Sequence, residues 1–171
     1  MDDGAWRHAT YGWQVPGRTR FRQRCGGLSG DSQVVRSILL IEDNPMDVEL
    51  TLRAFQQNRV ANPVTVARNS EEALAWIPRW ESGESKPAMI LLDVNMPRVN
   101  GLELLKELRT HAVSANIPVI MLTTSSTGRE IETAYEHGAN SYIVKPVDFE
   151  KFRDVAEQIR HYWTVLNVPA P

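Results

Sequence analysis

Several polar side chains in this chain stand directly after short apolar runs. Glu42 and Asp43 follow Ile38-Leu39-Leu40-Ile41, and Asp93 follows Met89-Ile90-Leu91-Leu92. Thr123 and Thr124 follow Val119-Ile120-Met121-Leu122, and Lys145-Pro146 follow Tyr142-Ile143-Val144. Three carboxylates brought together repel one another and are unstable without a cation. A hard divalent ion such as Mg2+ resolves the repulsion, because it prefers oxygen ligands and keeps several waters. Taken singly, each residue has a plainer reading. Asp43 could cap a helix opening at Pro45, Thr123 could close a strand, and Lys145 could pair with any surface acid. Their recurrence at successive run ends is the specific observation. A further run, Val64-Thr65-Val66, ends in Ala67-Arg68 and suggests no chemistry.

The runs must be strands for these side chains to converge. Most are continuously apolar, as expected of strands covered on both faces in a parallel sheet. Helical patterns alternate with them. The first follows Asn44-Pro45, with Val48, Leu52 and Phe55 on one face. The second opens at Ser70 as N-cap, with Glu71 and Glu72 in its first turn. The third covers about 102–109, with Leu104, Leu105 and Leu108 inward. The fourth lies between Arg129 and Gly138, a glycine placed for a left-handed cap. The last begins near Asp148 or Phe149, and Phe152, Val155, Ala156, Ile159 and Trp163 form its apolar stripe. Trp76, Ile77, Trp80 and the stretch to Pro87 read as a long loop inserted after the second helix, with Trp76 packed. Strict alternation of five strands and five helices implies a doubly wound α/β sandwich. Such sheets bind ligands beyond the carboxyl ends of their strands, at the switch point in strand order.

The chain has 171 residues, 42% of them hydrophobic, enough for one domain with a real core. A formal net charge of −2 provides no global field for nucleic acid or membrane. The single cysteine, Cys25, excludes an internal disulfide and points to a reducing compartment. No apolar run approaches the ~20 residues of a membrane span. Residues 1–33 carry three acids and five arginines, whereas residues 34–171 carry 18 acids against 14 lysines and arginines. The glycine-rich first segment reads as a poorly ordered extension, residues 34–163 as the folded unit and 164–171 as a tail. The cluster from Arg18 to Arg24 could instead be a nucleic-acid arm, and translation could begin near Val34 or Val35. His111, His137 and His161 share no ligand spacing and read as surface residues.

Together these motifs resemble the receiver domain of two-component response regulators. The resemblance rests on Ile38 to Asp43, on Leu91-Leu92-Asp93-Val94-Asn95-Met96-Pro97 with Gly101, on Val119 to Thr123, and on Tyr142 to Pro146. It spans about 35–163. Asn44-Pro45-Met46-Asp47, Thr123-Thr124-Ser125 and Tyr162-Trp163 are similar to stand-alone regulators paired with phytochrome-type histidine kinases. The resemblance implies a flavodoxin-like five-stranded parallel sheet in the order 2-1-3-4-5. It implies that Asp93 takes a phosphoryl group from a phosphohistidine on a partner kinase. It implies a Mg2+ site of Glu42, Asp43, Asp93 and the Asn95 main-chain carbonyl, with Asp43 a more direct ligand than Glu42. Thr123 would turn inward to the phosphoryl group, Lys145 would pair with its oxygens, and the Lys145-Pro146 peptide would be cis. Tyr142 would be the aromatic switch, while the Asn95 and Ser125 side chains would tune phosphate loss. The chemistry agrees: phosphoryl transfer is mainly positioning and charge neutralisation, and a carboxylate is a competent nucleophile at neutral pH.

After Lys145-Pro146 about 25 residues follow, enough for one helix and a tail. The signal is therefore expected to leave through the fourth helix, fifth strand and fifth helix, with a homodimer formed on that face. The expected protein is cytoplasmic, is not a turnover enzyme, and binds neither nucleic acid nor membrane directly. Two rivals share the architecture. An FMN carrier needs a phosphate-cradling loop after the first strand, where Glu42-Asp43 would repel phosphate. A Mg2+-dependent phosphatase with an aspartyl nucleophile would want an acid two residues after it, and Asn95 stands there.

Overall fold

The structure is a computed structural model that describes residues 10–11 and 35–167. Five strands are parallel: β2 (Ile38–Ile41), β3 (Val64–Ala67), β4 (Met89–Leu92), β5 (Val119–Thr123) and β6 (Ser141–Val144). They lie side by side as β3-β2-β4-β5-β6, the expected 2-1-3-4-5 order. A two-residue strand, β1 (Thr10–Tyr11), adds antiparallel to the outer edge of β3, with Thr10 opposite Thr65. No alternation marked that segment in the sequence, because two residues carry no period. The rest of the proposed extension, 1–9 and 12–33, and the end of the tail at 168–171 lie outside the described residues.

Continuous apolar runs are explained by two cores. Ile38 and Leu40 face one side of the sheet with Leu91, Ile120 and Leu122. Helices α1 (Pro45–Gln57) and α6 (Phe149–Arg160) cover it with Ala54, Phe55, Phe152, Ala156 and Ile159. Leu39 and Ile41 face the opposite side with Ile90, Leu92 and Met121. There α2 (Ser70–Leu74), α3 (Trp76–Glu81), α4 (Gly101–Thr110) and α5 (Gly128–Glu136) close the layer. Leu104, Leu105 and Leu108 of α4 are at most 1% exposed. Burying each contributes roughly 1.5–3 kcal/mol. The predicted stripe of the last helix holds, with Val155 and Trp163 partly buried beside its core residues.

Three local expectations change. The N-cap of α2 is Asn69, whose side chain accepts from Glu72 N at 2.7 Å, so Ser70 is the first helical residue. Only the part from Ser82 to Pro87 is loop, and the stretch from Trp76 to Glu81 is the helix α3. Its Pro78 sits in the first turn, where the missing N–H costs nothing. Trp80, 3% exposed, is its main anchor, and the partly buried Trp76 stacks on it at 6.2 Å. Beyond α6 the helix continues as a π-helical segment, His161–Leu166. Gly138 caps α5 with φ +90°, as expected. His137 departs from its surface reading, since its Nδ1 lies 3.2 Å from Leu102 O and bridges α5 to α4.

Candidate functional site

Strand register builds the site. Ile41 is paired with Leu92, so the next residues, Glu42 and Asp93, emerge side by side. Asp93 N donates to Ile41 O at 3.0 Å and Glu42 N to Ala67 O at 3.0 Å, which fixes both backbones. Thr123 is paired with Val144, and Lys145 N donates to Thr123 O at 2.7 Å. Chain reversal between β3 and β4 puts β2 and β4 at the switch point of the sheet, where such folds hold ligands.

All the polar residues singled out from the runs meet here except Thr124, which is exposed. Carboxylate oxygens of Glu42, Asp43 and Asp93 lie within 4.8 Å of one another. Glu42 and Asp93 are buried and Asp43 is partly exposed, so the cluster is open on one side. Oxygen donors at this spacing suit a hard divalent cation, which would neutralise their repulsion. The Lys145 ammonium stands opposite, bonded to Glu42 and 3.3 Å from Asp93 Oδ1. Thr123, fully buried, accepts at Oγ1 from Asn95 Nδ2 at 3.2 Å and from Ser125 N at 3.2 Å. Asn95 N also donates to Asp93 Oδ2 at 2.9 Å. The Tyr142 hydroxyl donates to Ser125 O at 3.2 Å.

One expectation is corrected, and one of the plainer readings falls away. The Lys145-Pro146 peptide is trans, since no cis peptide occurs among the described residues. The ammonium reaches the carboxylates from the trans form, which X–Pro bonds favour. Asp43 does not cap α1. Asn44 does, accepting from Met46 N at 3.0 Å. One residue escaped sequence reasoning: Asp47, whose Oδ2 accepts from Lys145 Nζ at 2.9 Å. An acid in a first helical turn reads as dipole compensation, and its partner lies 98 residues away in sequence.

The family model for the response regulator receiver domain matches residues 38–157. The chain belongs to the response regulator receiver family. The receiver is 36% identical over 131 residues to the probable methanogenesis regulatory protein FilR2 of Methanothrix harundinacea, covering 76% of this chain and 84% of FilR2. It is 28% identical over 146 residues to response regulator Rcp1 of Synechocystis sp., covering 84% and 99%. An Mn2+-bound crystal structure of Rcp1 superposes with a TM-score of 0.71 at 25% identity, covering 80% and 99%. The phosphorylated cyanobacterial phytochrome response regulator RcpA superposes with a TM-score of 0.73 at 29% identity, also covering 80% and 99%. The receiver is thus related to phytochrome response regulators. Its family signals by phosphorylation and takes phosphate from histidine kinases. Among the described residues no helix is long and apolar enough to cross a membrane.

Burial pushes the Glu42 carboxyl up to about 7, despite the Lys145 ammonium beside it. Burial raises Asp93 as well, again against Lys145. At Lys145 burial acts downward, but the bonds that the ammonium donates to Glu42 and Asp47 outweigh it and hold it above its ordinary range. These shifts give a pH dependence. Between 4.5, the ordinary value, and about 7 the folded receiver without metal keeps a proton at Glu42 that the unfolded chain has released. Stability without metal therefore falls as pH rises through that window. A divalent cation competes with the same proton, so the stabilisation it provides grows over the same range. Melting followed by circular dichroism, with chelator and with Mg2+, should show a larger cation-induced gain at about pH 8 than at about pH 5. Equal gains at both would contradict the assignment of Glu42.

Proposed function

We propose that the receiver takes a phosphoryl group onto Asp93 from the phosphohistidine of a phytochrome-type histidine kinase. The observation that carries this reading is the Asp93 carboxylate flanked by the Lys145 ammonium at 3.3 Å and by the Glu42 and Asp43 carboxylates within 4.8 Å. An Asp93 oxygen attacks phosphorus, the N–P bond of the donor breaks, and its electron pair stays on the imidazole. Glu42, Asp43, Asp93 and the Asn95 main-chain carbonyl would hold Mg2+, which when bound would supply neutralisation of charge on the phosphoryl oxygens. The chain's own residues do the rest. Lys145 pairs with one phosphoryl oxygen, and the Thr123 hydroxyl turns to donate to another. That turn breaks its bonds from Asn95 Nδ2 and Ser125 N. Tyr142, tied to Ser125 O, follows inward and alters the surface of α5, β6 and α6. The Asn95 and Ser125 side chains tune how long the phosphate stays.

In this reading the receiver spans residues 34–163, catalyses only its own phosphorylation and dephosphorylation, and acts in the cytoplasm without binding nucleic acid. Exposed Tyr135 of α5 and Val144 of β6 support a homodimer there. The test is transfer from an isolated, 32P-labelled phytochrome-type histidine kinase with Mg2+. Label should pass to the receiver as a base-labile acyl phosphate and should not pass in chelator. Label retained entirely by every histidine kinase tried, with none taken from acetyl phosphate, would reject the proposal.

A further inference from the structure

Asp47 has no part in the reading above, yet it is one of three carboxylates holding the Lys145 ammonium. Its Oδ2 stands 2.9 Å from Nζ, nearer than Asp93 Oδ1 at 3.3 Å, and Glu42 is the third. An ammonium has three N–H donors, so an arriving phosphoryl oxygen must displace one of these partners. The cation cluster among the described residues comprises Glu42, Asp43 and Asp93 and does not include Asp47. Of the three partners of the ammonium, Asp47 is therefore the one outside that cluster. Its side chain is also free to let go. It is 27% exposed against 8% for Lys145, and both line an open cavity of about 300 Å3 between Leu50 of α1 and Val147.

We propose that Asp47 is a positioning residue that restrains Lys145 before phosphorylation and so slows phosphoryl transfer to Asp93. The inference rests on Asp93 being the acceptor. Asp47 competes with the incoming phosphoryl oxygen for one N–H, and its charge opposes the approach of an anionic donor. Asp47→Asn keeps the shape and removes the charge.

The experiment measures two quantities on the full chain: labelling by acetyl phosphate at saturating Mg2+, and Mn2+ affinity by electron paramagnetic resonance without donor. In Asp47→Asn, labelling should accelerate about fivefold at low salt, and the gain should shrink as ionic strength screens the lost charge. Mn2+ affinity should fall about threefold, because a nearby carboxylate is gone and Lys145 leans onto Glu42 and Asp93. Asp47→Glu should restore both values. Opposite movement of the two readouts separates restraint from damage, since a distorted site loses both. Unchanged or slower labelling with wild-type Mn2+ affinity overturns the restraint. So does an acceleration that is indifferent to salt. Should Asp47→Asn not fold, Asp47→Ser carries the same expectation. A wild-type chain that takes no label at Asp93 overturns the acceptor reading itself.

Discussion

Asp93→Asn is expected to abolish phosphoryl incorporation while leaving the fold standing. An amide oxygen cannot form the acyl phosphate, so labelling by acetyl phosphate should drop at least about 100-fold, read by intact mass. The fold should tolerate the change because Asp93 is buried with other carboxylates. Its own carboxyl is raised by burial, so ionising it costs free energy. The amide keeps an acceptor for Asn95 N, now bonded at 2.9 Å, and leaves Lys145 its Glu42 and Asp47 partners. Stability without metal should stay within about 1 kcal/mol of wild type or rise, because one repelling charge has gone. Label at full stoichiometry in this variant would assign the acceptor elsewhere.

Gly101→Ala should be the more damaging change, although Gly101 carries no functional group. A Cβ there would stand 2.0 Å from the Asp93 carbonyl oxygen, and 2.9 Å from both Asp93 C and Val94 Cα. All three are backbone atoms of the segment that presents Asp93. They cannot rotate aside as a side chain could. Gly101 N is also held by Val94 O at 2.9 Å, so α4 begins against the end of β4. Either the helix start or the Asp93 peptide must move. The expected loss is about 3 kcal/mol in urea unfolding, with Mn2+ affinity reduced in whatever fraction still folds. Gly128→Ala, with nothing within 4 Å of its added carbon, is the matched control and should be neutral. Equal stability of the two variants would show that the close approach is not limiting.

The sheet and its reactive edge were legible because both depend on short-range patterns that the fold amplifies. Two-sided burial makes each strand a continuous apolar run, and the residue after each run necessarily sits at the strand end. What was not legible depends on distance or on fine geometry. Asn69 and Ser70 are adjacent good caps, and only the backbone conformation decides between them. Pro78 reads as a breaker until the helix start is known to lie two residues before it. The partnership of Asp47 with Lys145 has no sequence signal, since it forms through the packing of α1 beside the end of β6. The cis expectation failed for a related reason: the resemblance brought it, and no feature of Lys145-Pro146 itself requires it.

Lys145 meets Glu42 across 103 residues, the first long parallel strand answered from beyond the last. During synthesis the acidic half of the pocket leaves the ribosome well before its amine. At typical elongation rates that interval is roughly 5–20 s. Until the final strand docks, Glu42 and Asp93 lack their Lys145 partner. On the proposed function, a translation product that ends before Lys145 is expected to lack the completed pocket and to take no label from acetyl phosphate.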